Sequence, residues 1–341
     1  MFVRNSWYVA AWSDEIHETP VGLVILGEPI VLFRISDGTA VGLEDRCVHR
    51  RVPLSMGNVF GDNLQCTYHG FVYDRTGACI KIPGQSSIPV EARVRSYPIV
   101  DRHGCIFIWM GNPQNSDESL IPKFETLHNS GYGVTKKHIR VEAHYQLIID
   151  NLLDLSHLAY LHSSSVGQAE LAEMANVKTE TEGDIVKVSR WTLNVPAVGT
   201  YQQFGRYESN IDRWQISAFM PPCFFIIDNG AASTGTGAPQ WKPGENRWGF
   251  IVCHGITPET DKTTHYFWAL SHEFNDTEDR LQEFYNQQHA VVGEDLAIFK
   301  AQQNYIDLDP NAMTVDFKYD AGPLKARMII DRMVAEESAS T

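Results

Sequence analysis

The sequence predicts an α+β chain in two parts: an all-β domain over residues 1–112 and a second domain over 113–341, an antiparallel sheet with helices. Three observations carry this. Residues 1 to about 112 hold short apolar runs between turn residues and show no helical periodicity. "GNPQNSDESLIPKFE" (111–125) is polar, contains two prolines and reads as a linker. Beyond it, strand-like runs follow one another with few helical crossovers, as an antiparallel sheet requires.

In chain order, "LVILGEPIVLFRI" (23–35) reads as two strands joined by a Gly-Glu-Pro turn. "YPIVDRHGCIFIWMG" (97–111) reads as a hairpin turning near His103-Gly104. Residues 144–162 and 276–303 have helical character. "DIVKVSRWTLNV", "RWQISAF", "CFFIIDNG", "RWGFIVCHGI" and "TTHYFWAL" read as strands. "STGTGAPQW" (233–241) is Gly-rich but lacks GxGxxG spacing and a strand–turn–helix setting, so it reads as a surface loop.

Composition narrows the function. With 341 residues, 43% of them hydrophobic, the chain can fill a real core. A net charge of −14 argues against nucleic acid or an anionic membrane surface as the main partner. No apolar run reaches the roughly 18 residues of a membrane helix. The N-terminus lacks a signal peptide's features. A cytoplasmic location is therefore expected. The six cysteines do not form a disulfide framework in a chain this long; metal or redox chemistry is the better reason for any special one.

That reason is visible in the first domain. "CVHRR" and "CTYHG" place Cys47 with His49 and Cys66 with His69. A structural zinc site pairs Cys with Cys and His with His. Here each arm mixes the two, which suits a Rieske [2Fe–2S] centre: one iron on two thiolates, the other on two imidazoles. Neutral imidazoles remove negative charge and raise the potential above that of an all-cysteine cluster.

The second domain holds "DNLLDLSHLAYLH" (150–162). Asp150, Asp154 and His157 share one face of a helix. His157 and His162 lie about 140° apart around it, so the helix must either end near His162 or contain a wide turn. "SSSVG" follows and favours an ending. Leucines and isoleucines cover nearly all sides, so some of the polar group is buried. An unpartnered buried carboxylate costs several kcal/mol, against a total stability of about 5–15 kcal/mol. A cation resolves this. Two histidines and one carboxylate form the ligand set of non-haem Fe(II) oxygenases. Asp154 or Asp150 could be that carboxylate. "HAVVGEDLAIFKAQQ" offers Asp295, set in an apolar helical stripe, with Glu294 pointing further round; we take Asp295 as the third ligand.

The chain resembles the oxygenase component of the Rieske non-haem iron aromatic oxygenases, in the group that holds the vanillate and dicamba O-demethylases and toluenesulfonate methyl-monooxygenase. The likeness rests on "RNSWYVAAW", both Cys/His arms, "DNLLDLSHLAYLH", "GEDL", "IDRWQISAFMPP", "STGTGAP" and "ITPETDKTTHYFW". It implies a Rieske β domain followed by a helix-grip catalytic domain, with iron on His157, His162 and Asp295. It implies that Asp154 accepts a hydrogen bond from His69 of the next subunit, in a head-to-tail homotrimer. Asn151 would border the metal. Each subunit would carry one [2Fe–2S] cluster and one Fe(II).

The chain has no nicotinamide or flavin fingerprint, so NADH electrons must arrive through a separate reductase or ferredoxin. The expected reaction is O2-dependent O-demethylation or methyl hydroxylation of a small aromatic, an acid or sulfonate. Arg213, Gln215, Phe225, Asn229, His254 and Trp268 are the candidate pocket residues. His254 falls where the dicamba enzyme has a carboxylate-binding histidine and the vanillate pattern an aromatic. Oxidative N-dealkylation and ring dihydroxylation are the alternative chemistries. A non-catalytic Rieske electron carrier and a zinc-stabilised binding module are alternatives of other classes.

Overall fold

The computed structural model describes residues 1–163, 167, 176–197, 199–237 and 247–339. The chain divides into two compact units. The first comprises Met1–Lys123 with Thr257–Asp261 and Glu336–Thr341; the second comprises Phe124–Ile256 with Lys262–Ala335. Residues 113–123, expected in the second domain, therefore group with the first unit. The reason is local: Trp7 Nε1 donates to Asp117 O at 2.8 Å, and Arg102 Nη2 pairs with Glu118 at 2.5 Å. The "linker" begins as short 3-10 turns pinned to a β domain.

The first unit contains three small antiparallel sheets. Two of its hairpins turn on residues with positive φ. Leu26 (51°) and Gly27 (77°) join Val21–Ile25 to Glu28–Arg34; His103 (56°) and Gly104 (77°) join Ile99–Arg102 to Cys105–Trp109. Positive φ at both central residues matches the right-handed strand twist. The first turn is thus Leu26-Gly27, not Gly-Glu-Pro: Glu28 and Pro29 already pair with Ile25 and Val24.

The second unit is built on a seven-stranded antiparallel sheet. Its strands are β1 (Gly133–Val141), β2 (Asn176–Glu182), β3 (Ile185–Val195), β4 (Ile211–Met220), β5 (Phe224–Ser233), β6 (Arg247–Thr260) and β7 (Thr263–His272), in the order β1-β7-β6-β5-β4-β3-β2. The five expected strands are β3 to β7. The two unexpected ones, β1 and β2, are the sheet's edges. Their sequences, "GVTKKHIRV" and "NVKTETE", are polar as edge strands often are, so they carry little apolar signal. The expected Gly-rich loop begins at the end of β5; its residues 238–241 lie outside the described residues.

The expected helix over 144–162 is interrupted. Helix α1 (Tyr145–Leu153) ends before Asp154, and a single turn, α2 (Leu158–Leu161), follows. The sheet supplies the reason: Ser217 Oγ donates to Leu152 O at 2.7 Å and Arg190 Nη1 to Leu155 O at 2.8 Å. Carbonyls a continuous helix would bond internally are taken by β4 and β3. Helix α3 (Thr200–Gln203) is short. Helix α4 (Glu278–Leu308) is longer than the expected 276–303 segment, and α5 (Ala321–Ala339) was not foreseen.

Candidate metal centres and substrate cavity

In the first unit the two Cys/His arms fold as matching loops. Cys47 N donates to Val52 O and accepts at its carbonyl from Arg51 N; Cys66 does the same with Phe71 O and Gly70 N, all within 2.8–3.1 Å. The residue closing each loop has positive φ: Arg51 at 59° and Gly70 at 71°. Both thiols are buried, while His49 and His69 are exposed with ring centroids 4.4 Å apart. Two inner sulfurs and two outer imidazoles match the donor set of a Rieske cluster.

Further residues, missed from sequence, complete this site. Tyr73 Oη lies 3.2 Å from Cys47 Sγ and accepts from Val48 N at 3.2 Å, so its proton is available to the sulfur. Burial pushes the Tyr73 phenol up, keeping it a donor. Phe71 stacks on His49 at 5.0 Å. Burial pushes the Cys66 thiol up, opposed by N–H groups of Tyr68 and His69. The only trace of Tyr73 in the sequence is its place just after the second arm.

In the second unit the ligating atoms of His157, His162 and Asp295 lie within 4.8 Å of one another, near enough to share one ion. Each imidazole is oriented through Nδ1. His157 Nδ1 bonds Asp154 O at 2.5 Å, and His162 Nδ1 bonds Glu294 Oε2 at 2.6 Å. A carbonyl or carboxylate oxygen only accepts, so both Nδ1 atoms carry the proton, which directs each Nε2 atom to the Asp295 side. Those Nε2 atoms sit 3.7 and 3.2 Å from Asp295 Oδ1. Asn151 Nδ2 donates to the same oxygen at 3.0 Å.

Burial pulls the pKa of His157 down, favouring the neutral form a ligand must have. Burial also opposes charge on His162, but bonds from Asp295 and Glu294 outweigh it and raise its pKa. A cation held by His157, His162 and Asp295 would compete with that proton.

Glu294, expected to point further round than Asp295, thus lies behind the His162 ring. Asp150 has a different fate from the one its spacing suggested. It is paired with Arg327 of α5 and bonded by Gln146 Nε2 at 3.0 Å. Asp154, outside the helix, does not share a face with Asp150. Its Oδ1 accepts from Ser156 N at 2.7 Å, and its other oxygen meets no protein donor among the described residues.

A cavity of about 110 Å³ opens onto this triad. Leu152, Leu155, Leu158, Ile227, Phe250, Val252, Val291 and Val292 make its wall largely apolar; Gln215, Asn229, His254 and Trp268 also line it. Arg213 does not. Its guanidinium stacks 4.5 Å over the Tyr201 ring and is buried there, a cation–π partner rather than a cavity group. Phe225 packs behind, its ring 6.2 Å from that of His254. His254 bonds Tyr266 Oη through Nδ1 at 2.9 Å, and its Nε2 is buried without a hydrogen-bond partner. Burial pushes its pKa down to about 3, so the ring is neutral at ordinary pH. A buried ring nitrogen without a hydrogen-bond partner costs free energy.

Comparison with known proteins assigns a family to each part of the chain. Residues 6–98 match the Rieske [2Fe-2S] domain, and residues 141–336 match the vanillate O-demethylase oxygenase C-terminal domain. The chain is 37% identical to a putative toluene-4-sulfonate monooxygenase system iron-sulfur subunit of Comamonas testosteroni, covering 100% of this chain and 99% of that one. It is 37% identical to a vanillate O-demethylase oxygenase subunit of Pseudomonas sp. strain HR199, over 99% and 96%. Among solved structures, dicamba monooxygenase bound to 3,6-dichlorosalicylic acid superposes with a TM-score of 0.90, at 29% identity over 99% of each chain.

Proposed function

Because the chain belongs to the Rieske non-haem iron oxygenases, with a catalytic domain of the vanillate O-demethylase type, we propose that it oxidises a methyl or O-methyl group on an aromatic acid or sulfonate. It is the oxygenase component of a multicomponent monooxygenase, carries a Rieske cluster and a non-haem iron, and draws NADH electrons through a separate reductase. Among the described residues no helix is long and apolar enough to cross a membrane.

Cys47, Cys66, His49 and His69 would hold the [2Fe–2S] cluster, and His157, His162 and Asp295 the Fe(II). The cluster supplies single electrons and the iron supplies oxygen activation. The chain's own residues do the rest. The apolar wall holds the ring and excludes water, while Asn229 and His254 meet the polar group. Asn151 steadies the Asp295 carboxylate. The second oxygen of Asp154 would take the imidazole of a His69 from a second copy in a homotrimeric ring.

For an O-methyl substrate, ArOCH3, O2, NADH and H⁺ give ArOCH2OH, NAD⁺ and water. The hemiacetal then collapses to the phenol and formaldehyde. For an aryl methyl group the product is a benzylic alcohol.

The observation that carries this reading is the largely apolar cavity that opens onto the triad and has Asn229 and His254 in its lining. The test supplies the purified protein with a matching reductase, NADH and O2, and screens methoxybenzoates, aryl sulfonates and N-alkyl anilides for formaldehyde and hydroxylated product. Turnover confined to acids or sulfonates is expected. Turnover confined to anilides would move the assignment to N-dealkylation, and none at all would sink the substrate class.

A further inference from the structure

Three buried polar side chains cross adjacent strands at one register, two of them in the cavity wall and the third, Arg190, behind it. Arg190 on β3 stands opposite Gln215 on β4, and Gln215 opposite Asn229 on β5. Their hydrogen bonds run in series. Arg190 Nη1 donates to Leu155 O at 2.8 Å and its Nη2 donates to Gln215 Oε1. Gln215 Nε2 in turn donates to Asn229 Oδ1 at 3.1 Å.

The chemistry of the first member fixes the direction of the series. The oxygen and nitrogen of an amide are nearly alike in shape, and the partners decide which way it faces. A guanidinium has donors only. Gln215 must therefore turn its oxygen to Arg190 and its NH2 group to Asn229. Asn229 must answer with its oxygen, which leaves its own NH2 group. No protein acceptor among the described residues meets that group, and Asn229 lines the cavity.

Arg190 is costly for a mere strut. It is 3% exposed, hydrogen-bonded to neutral oxygens and close to Arg213. Burial, then repulsion from Arg213, pushes it down to about 10, so it stays a cation near neutral pH. A neutral side chain would fill the space without that desolvation. What a neutral amide or hydroxyl could not do is refuse to accept.

We propose that Arg190, which is not part of the cavity wall, sets the hydrogen-bonding sign of the cavity. Relayed through Gln215, it makes Asn229 a donor and so selects substrates whose polar group is an acceptor, such as a carboxylate or sulfonate oxygen. This rests on the reading of the cavity as the substrate site. Arg190 and Gln215 act here as positioning residues.

The decisive variant is Gln215→Glu. It keeps the shape and the Arg190 contact, but the new carboxylate accepts on both sides. Asn229 has to turn its NH2 group toward it and show its oxygen to the cavity. Binding is measured by calorimetry on the resting holoenzyme, without reductase or turnover. The probes are 4-methoxyacetophenone, an uncharged acceptor, and 4-methoxyaniline, an uncharged donor, so the added charge acts weakly on either.

The wild type should prefer the ketone. Gln215→Glu should move the ratio of dissociation constants toward the aniline by roughly 10- to 100-fold, with iron and sulfide content unchanged. Gln215→Leu, which frees the Asn229 amide, should lose the preference and serves if the first variant fails to fold. A ratio that stays put in these variants, or no binding of either probe, overturns the relay. A shifted ratio in a protein that turns over no compound of the panel would leave the relay standing and remove the substrate assignment.

Discussion

The two candidate metal centres are held by opposite means. The Cys47/Cys66 site is made of backbone: two short loops, each closed by a pair of main-chain hydrogen bonds and a residue with positive φ, carrying exposed imidazoles. The His157/His162/Asp295 site is made of side chains reaching across the fold. Glu294, Asn151, Arg190 and Ser217 come from two helices and two strands to fix one helix break, one ring and one carboxylate. The first should tolerate changes around it so long as the loops close. The second should respond to single substitutions well away from the reacting atoms.

The largest expected effect is on ligation itself. His162→Ala should remove the mononuclear iron and abolish turnover while the visible spectrum of the cluster remains; loss of both centres together would mean that they are not independent. Next comes Asp154→Asn. Both metals should stay, yet turnover should nearly vanish, since the carboxylate proposed to orient an incoming imidazole is gone. Iron loss on that substitution would make Asp154 a ligand instead.

Glu294→Gln should be milder. The His162 ring keeps a partner but loses its carboxylate, and iron affinity measured by competition with a chelator should fall roughly 10- to 100-fold. No change would show that His162 is oriented by packing alone. Smallest is Tyr73→Phe at the backbone-built site. Removing the proton donated to Cys47 Sγ should lower the cluster's reduction potential and cost about 1 kcal/mol of stability, with cluster content unchanged. An unchanged potential would mean that the hydroxyl points elsewhere.

The same contrast explains what the sequence disclosed. Cys47, His49, Cys66 and His69 are legible because a loop site writes its ligands at fixed spacing. His157 and His162 were legible as a pair, but the helix break just before His157 was not, because it depends on Arg190 and Ser217 from strands not yet folded against it. Asp295 stood out as an acid in an apolar stripe, although Ile298 of that stripe is 40% exposed. Asp150 and Arg213 misled for one reason: spacing cannot reveal that Arg327 answers the first or that Tyr201 lies under the second. The edge strands β1 and β2 escaped because exposure erases the apolar alternation that marks inner strands.

The most direct check of the two-centre account is elemental. Iron and acid-labile sulfide should be measured in the purified wild type and in Asp295→Ala. Roughly three irons and two sulfides per chain are expected in the wild type. In the variant about one iron should be lost, with sulfide and the cluster spectrum intact. Full iron retention in Asp295→Ala, or a wild type with no sulfide, would contradict it.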